Sequence, residues 1–272
     1  MENIIRFMHE RYTFNVSIYD DSFLERTIAN RMTFSSCNST KEYLILLEKM
    51  PVEVRILMES LTNSYSEFFR NPLTFALLKQ IIYPKIFDRK ESFLHTTEVR
   101  IWSAGCAAGQ EAYSLAMLAD DFITEHQGST SFRIFATDIS AKHLEDARRG
   151  IYDQKNIQNT NHGFINSYFT VKGQSYAVNE KVKKYIDFSY YDLLDKDTNA
   201  PPSSIFGGFD IIMCSNVLFY YRPDVQKFIL NKLFSSLNEG GFLLTGEAEI
   251  AILKGDRNFR QFTSPSTIFV KN

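Results

Sequence analysis

Residues 101–111, Ile101-Trp102-Ser103-Ala104-Gly105-Cys106-Ala107-Ala108-Gly109-Gln110-Glu111, read as an apolar strand that runs out in small residues and opens at once into a helix. Small residues at such a turn let the backbone approach a ligand closely, and a helix start offers N–H groups with no intrahelical acceptor. A nucleotide-like ligand suits that geometry. The spacing is not GxGxxG, which argues against a dinucleotide, and no GxxxxGK[ST] loop for a triphosphate occurs in the chain. Taken alone, a glycine turn between strand and helix is weak evidence, so its meaning depends on the flanking pattern.

Downstream, strands alternate with helices. Val99–Trp102 and the helix over 111–123 are followed by strand 132–136, helix 141–149, strands 185–189 and 209–214, helix 223–237 and strand 242–245. Such alternation predicts parallel strands with helices on both faces, a doubly wound α/β sheet. The closing run Thr267–Lys271 is β-branched with no helix after it, which predicts a last strand joined by a hairpin to the strand before it. Residues 153–184 break the alternation with Asn156, Asn159, Asn161 and Gly163, then two short β-rich runs around Lys172-Gly173. They read as an inserted subdomain containing a β-hairpin, and 195–208, with Pro201-Pro202, as a surface loop.

Upstream, from Glu2 to about Lys85, apolar residues recur at helical spacing (Phe23, Leu24, Ile28; Tyr43, Leu44, Leu46, Leu47), with almost no glycine. This part reads as a bundle of short helices. Ser39 and Thr40 form a helix start, and Pro51 falls in the first turn of the next helix.

Composition bounds the rest. The chain has 272 residues, 44% hydrophobic and 23% charged, with a formal net charge of -2, so nothing global draws it to nucleic acid or a membrane surface. Its three cysteines, Cys37, Cys106 and Cys214, are scattered and odd in number. They fit neither a disulfide framework nor a metal site, and suit the cytoplasm. No window approaches the roughly 18 apolar residues of a membrane span.

Two further residues join the glycine turn at the carboxyl edge, where open α/β sheets bind ligands. Strand 132–136 leads into Asp138, placed to accept from ribose hydroxyls; the plainer role is as N-cap of the following helix, for which Ser140 is equally suited. Strand 209–214 delivers Asn216, which either binds ligand or caps the turn.

These blocks resemble the chemotaxis-receptor glutamate methyltransferases of the CheR type. The likeness runs over YDDSFLERTIANRM (19–32), 43–48, LTNSYSEFFRNP (61–72), WSAGCAAGQEAYSLAM (102–117), ATDIS (136–140), FDIIMCSNVLFYY (209–221) and GGFLLTGEAE (240–249), in order along nearly the whole chain. The resemblance implies a Rossmann-like class I methyltransferase sheet, mostly parallel with the last strand antiparallel, over 63–272. It also implies a small β-insertion at about 153–184 and an all-α receptor-docking domain over 1–62. It implies S-adenosylmethionine as cofactor, S-adenosylhomocysteine as product, and no metal. Ser64 and Ser66 would lie beside the cofactor, Arg70 next to the methyl-transfer centre, with Gly105 at the turn. Glu111 and Asp138 would hold the amino-acid and ribose parts, Asp192 and Leu193 flank the adenine, and Asn216 and Val217 complete the pocket. Implied partners are the cytoplasmic helices of methyl-accepting receptors, with a monomeric enzyme, no nucleic acid and no membrane insertion.

The chain departs from the family at several points. Gln110 stands where GEEP is usual, Ser64 where Asn is common, and Ser215 where Arg precedes the Asn-Val pair; Asp192 occupies a position where Asn can occur. The insertion also lacks the extra glycine-containing residues associated with tail-peptide binding. The chemistry expected is attack by an ionised receptor glutamate, which needs no general base. Arg70 would aim the carboxylate and Tyr220 line its channel, against plainer roles as a surface cation and a packing aromatic. Phe68 and Phe69 read as packing residues. Arg26 and Arg31 suggest a docking stripe or, more plainly, a solvated face. The competing functions are a related methyltransferase with another carboxylate or small-molecule acceptor, and a non-catalytic cofactor-binding sensor or scaffold.

Overall fold

A computed structural model describes residues 1–62, 66–92, 98–204 and 207–272. The chain divides into two compact units: residues 1–64 with Val217–Phe228, and 65–216 with 229–272.

The first unit is built from α1 (Glu2–Tyr12), α2 (Asp21–Phe34), α3 (Thr40–Lys49) and α4 (Pro51–Thr62). Side-chain caps start two of them: Asp20 accepts from the Ser22 and Phe23 N–H groups, and Ser39 from that of Glu42. Their apolar stripes meet in a core of Ile4, Met8, Leu24, Ile28, Tyr43, Leu47, Val54 and Leu57. One ion pair is built into that core. Arg31 donates from Nε and Nη2 to Glu53 at 2.9 and 2.7 Å, and the buried Tyr43 hydroxyl donates to the same carboxylate at 2.8 Å. Burial and the Glu53 charge push the Tyr43 phenol well up. Arg31 is therefore a structural cation tying α2 to α4; Arg26 is exposed. Residues 217–228, which the sequence pattern ran into the catalytic domain, join this unit through an antiparallel bridge, Tyr19 to Tyr221, whose rings stack at 5.6 Å.

The second unit begins with α5 (Pro72–Leu77), which leads through a π-helical stretch, Leu78–Ile82, into α6 (Tyr83–Ser92). Then come β1 (Glu98–Ala104), α7 (Gln110–His126), β2 (Ser131–Asp138), α8 (Ala141–Arg149), β3 (Ile151–Asp153), α9 (His162–Tyr168), β4 (Phe169–Lys172), β5 (Ser175–Val178), α10 (Glu180–Lys183), β6 (Ile186–Tyr190) and β7 (Phe209–Met213). α11 (Pro223–Ser236), which belongs to the first unit as far as Phe228 and to the second from Ile229, is followed by β8 (Leu237–Leu244), α12 (Ile250–Lys254), β9 (Phe259–Gln261) and β10 (Ile268–Lys271).

The main sheet has the order β6-β2-β1-β7-β8-β10-β9. The first five are parallel; β10 is antiparallel to both neighbours. This is the doubly wound sheet with a reversed closing strand. β10 forms its hairpin with β9, a three-residue strand the sequence pattern did not reveal, and inserts between it and β8. The insertion forms a separate sheet, β3-β5-β4, in which β4 and β5 are the expected hairpin and β3 a third strand starting two residues earlier than expected.

Strand order turns back between β1 and β7, because β2 and β6 build outward on one side and β8 on the other. The loops leaving β1 and β7 therefore diverge and open a crevice at the carboxyl edge. Register brings Ala104 beside Thr137, and Asp138 beside Tyr190, along that rim.

Candidate functional site

The loop after β1 is held from below by a single carbonyl. Gly105 and Cys106 both donate to the Thr137 oxygen at 2.9 Å, while the Trp102 indole donates to the Thr137 hydroxyl at 2.9 Å. The chain then turns through left-handed conformations at Gly105, Ala107 and Gly109, with φ of 79°, 49° and 89°. At Gly109 no other residue fits: a Cβ would lie 2.8 Å from that of Ala147, so glycine is what lets α7 start close against α8.

Asp138 is buried. One carboxylate oxygen accepts from the Ala107 N–H at 2.8 Å, the other from the Ser140 N–H at 2.8 Å, and His143 Nδ1 lies 3.8 Å away. The helix cap proper is Ser140, which accepts from His143 N–H. Asp138 thus joins the β1 loop to the β2 exit, and with about four lone-pair directions it keeps acceptor capacity for hydroxyls.

Glu111, in the first turn of α7, is half-buried and accepts from the Ser103 hydroxyl at 3.0 Å. Burial pushes its carboxyl up to about 8; the Ser103 bond opposes this, the Glu249 charge adds to it, and the Arg70 charge draws it back. Arg70 therefore acts electrostatically on Glu111, although its own side chain is exposed. It follows Phe68 and Phe69, both buried, as expected of packing residues. Phe69 sits at φ 51°, a left-handed conformation costing about 1–3 kcal/mol for such a residue. Its N–H donates to Ser114 Oγ at 3.0 Å, and that hydroxyl donates to the Gln110 carbonyl at 2.8 Å. The segment before Arg70 is in this way tied to the turn of α7 that carries Glu111. Ser66 is half-buried on the same segment; Ser64 lies outside the described residues.

Asn216 ends the β7 loop at φ 59°. Its N–H donates at 3.0 Å to Glu249, which is fully buried, and the Gly246 N–H donates to the same oxygen at 2.7 Å. Asp192 and Leu193 follow β6. Asp192 accepts from the Leu194 N–H at 2.8 Å and Leu193 is buried. The buried Lys232 donates to the Tyr191 hydroxyl at 3.1 Å and to the Asp195 carbonyl.

Gly105, Asp192 and Asn216 stand on loops leaving the carboxyl edge of the main sheet, Asp138 ends β2 at that edge, and Glu111 lies in the first turn of α7. Val217 and Tyr220 fall in the first unit. Val217 opens a short 3-10 turn, and the Tyr220 ring packs on Phe23 at 4.8 Å. Sequence reasoning missed Glu249, Ser103, Ser114 and Lys232. Glu249 closes the run GGFLLTGEAE (240–249), but a carboxylate just beyond a strand reads as a helix-start residue.

Glu111, Asp138 and Asp192 contribute carboxyl groups and Arg70 one guanidinium, an acceptor-rich set suited to cationic and hydroxyl groups of a ligand. Burial pushes the Cys106 and Cys214 thiols well up, so neither is a thiolate nucleophile at neutral pH. Among the described residues no cluster of His, Cys, Asp and Glu could hold a metal ion, and no helix is long and apolar enough to cross a membrane.

Comparison with known families gives two matches, "CheR methyltransferase, SAM binding domain" over residues 64–268 and "CheR methyltransferase, all-alpha domain" over residues 1–62. A chemotaxis protein methyltransferase of Borreliella burgdorferi is 28% identical over 270 residues, 98% of this chain and 92% of that protein. One from Vibrio parahaemolyticus is 33% identical over 201 residues, 72% of this chain and 69% of that protein. A probable biofilm formation methyltransferase of Pseudomonas aeruginosa is 28% identical over 249 residues, 91% of this chain and 56% of that protein.

Proposed function

Because this chain belongs to the CheR family of S-adenosylmethionine-binding methyltransferases, we propose that it esterifies glutamate side chains on the cytoplasmic helices of methyl-accepting chemotaxis receptors. Residues 1–62 are the docking domain in this reading, 63–272 the catalytic domain, and the enzyme works as a cytoplasmic monomer.

When bound, S-adenosylmethionine supplies a methyl group activated on a sulfonium. The chain's own residues do the rest. Glu111 receives the cofactor's ammonium, and its burial makes that charge the natural complement of its ionised form. Asp138 accepts from the ribose hydroxyls while its bonds to Ala107 and Ser140 hold it in place. Asp192 and Leu193 flank the adenine, and Gly105, Ser66 and Asn216 line the cofactor.

The acceptor glutamate, with an ordinary pKa of about 4.3, is already ionised and is itself the nucleophile. Its oxygen would take the methyl as the carbon–sulfur bond breaks, with S-adenosylhomocysteine as the leaving group. No proton moves, so no general base is needed. Catalysis rests on orientation and exclusion of water, which together reach about 7–11 kcal/mol in favourable systems. Arg70 has the planar fork of donors to aim a carboxylate.

One observation supports this reading: the Phe69 N–H donates to Ser114 Oγ and that hydroxyl to the Gln110 carbonyl, so the segment that ends in Arg70 is fastened to the first turns of α7, which carry Glu111. The test is to incubate the protein with receptor-containing membranes and methyl-labelled cofactor. Esters release labelled methanol in mild alkali. Alkali-stable label, or none, would overturn the assignment, and label on a small carboxylic acid instead would favour a related methyltransferase with another acceptor. Tight cofactor binding with no transfer would mark a sensor or scaffold.

A further inference from the structure

The segment that carries Arg70 is packed against the inserted β-subdomain. The Phe68 ring meets Tyr152 edge-on at 4.9 Å and Phe169 at 5.2 Å, and the Phe69 ring meets Phe164 at 5.2 Å. Tyr152 lies on β3, Phe164 on α9 and Phe169 at the start of β4. Asn159 adds a polar tie, donating to Glu67 at 3.0 Å. The same subdomain reaches the cofactor loop, where the Tyr152 hydroxyl donates to the Ala108 carbonyl at 2.6 Å.

The insertion is itself fastened to α7. Asp120, buried on that helix, accepts from the Tyr168 hydroxyl at 2.9 Å and from Lys181 Nζ at 2.7 Å. A surface appendage serving only as a tether would need neither this buried latch nor aromatic contact with the residues preceding Arg70. Phe69, moreover, holds a left-handed conformation that a bulky residue keeps only where its surroundings over-determine it.

We propose that the β-insertion is a positioning element for methyl transfer, in which Phe164 and Phe169 hold Phe68-Phe69 so that Arg70 is presented to the acceptor carboxylate. These are positioning residues acting through Arg70. The insertion then contributes to turnover whether or not it also binds any part of a receptor. The inference rests on the function proposed above, since it needs Arg70 beside the transfer centre.

Turnover is measured on a receptor cytoplasmic fragment lacking its C-terminal tail, with S-adenosylhomocysteine affinity measured by calorimetry on the same preparations. Phe164→Leu and Phe169→Ala are expected to lower kcat about tenfold or more, the scale that follows from misplacing an aiming group by about 1 Å, while the Kd for S-adenosylhomocysteine changes by less than about threefold. Phe169→Leu should recover most of the loss. Phe164 is half-buried and tolerates leucine, so it carries the test if Phe169→Ala misfolds. In an Arg70→Lys background, whose residual turnover is followed with labelled cofactor, Phe164→Leu should cost little more, because both changes spoil one act. Unchanged kcat in both variants would overturn the proposal, as would losses that multiply with that of Arg70→Lys. Failure of the wild-type protein to bind S-adenosylhomocysteine or to label receptor would instead defeat the underlying function.

Discussion

The buried carboxylate of Glu249 accepts the backbone N–H of Asn216 at 3.0 Å, and that of Gly246 at 2.7 Å. A residue beyond β8 thus fixes the loop beyond β7, and its charge raises the carboxyl of Glu111 on α7. Glu249→Ala should cost about 1–3 kcal/mol for each N–H left without an acceptor, seen as a lower urea midpoint. Glu249→Gln keeps an acceptor and should cost less. Gly246→Ala should weaken S-adenosylhomocysteine binding, since its Cβ would come within 2.7 Å of the Asn216 amide; calorimetry checks it.

The role proposed for Glu111 predicts that binding is coupled to release of a proton. Its carboxyl lies at about 8 in the ligand-free protein, so near pH 7 it is mostly protonated, and an arriving ammonium favours the ionised form. Binding of S-adenosylhomocysteine should release about one proton at pH 7, detected as a buffer-dependent heat, and affinity should rise between about pH 6 and 8. Glu111→Gln should abolish both effects. The linkage also sets the sign for stability. A carboxyl raised above its unfolded value favours the ligand-free fold at low pH, and that contribution is lost as pH rises through about 8.

Arg70→Ala should cost methylation about 10²-fold or more in kcat with little change in cofactor affinity. Arg70→Lys, which keeps the charge and loses the planar fork, should recover only part. Near wild-type kcat in both would remove Arg70 from the aiming role.

Arg31 should behave as a core residue. Arg31→Met leaves the Glu53 carboxylate buried beside Tyr43 and should destabilise the fold by about 3–5 kcal/mol, read from thermal or urea unfolding. The exposed Arg26 should have little effect on stability. If receptor docking is electrostatic, methylation will fall as salt rises, and Arg26→Ala will blunt that dependence.

Lys232→Met should loosen the loop after β6. Its ammonium bonds Tyr191 and the Asp195 carbonyl on either side of Asp192-Leu193. The expected result is S-adenosylhomocysteine binding about tenfold weaker, with kcat changed less, measured by calorimetry and steady-state kinetics.

Much of the fold was legible because its periods are local. A seven-residue strand meeting a glycine turn and a long helix at 101–111, and its repetition at 131–149, specify a doubly wound sheet without reference to anything distant. β9 was not legible, since three residues, Phe259–Gln261, carry no period; it exists because β10 offers it an edge. The role of 217–228 was hidden for a related reason. The segment follows a sheet strand in sequence, but its partners are Ile18–Asp20, some two hundred positions away along the chain.

By itself the sequence determined the alternation of the main parallel strands with helices, the acidic and small residues at the carboxyl edge, and the family to which the blocks belong. Only the tertiary structure decided the rest. It showed that Glu249 governs the Asn216 loop, that Arg31 is spent inside the helical unit, and that the inserted subdomain grips the residues before Arg70. Patterning records which face of an element is buried, but a buried side chain's partner, and so its charge state and the work it does, is fixed only when distant segments are brought together.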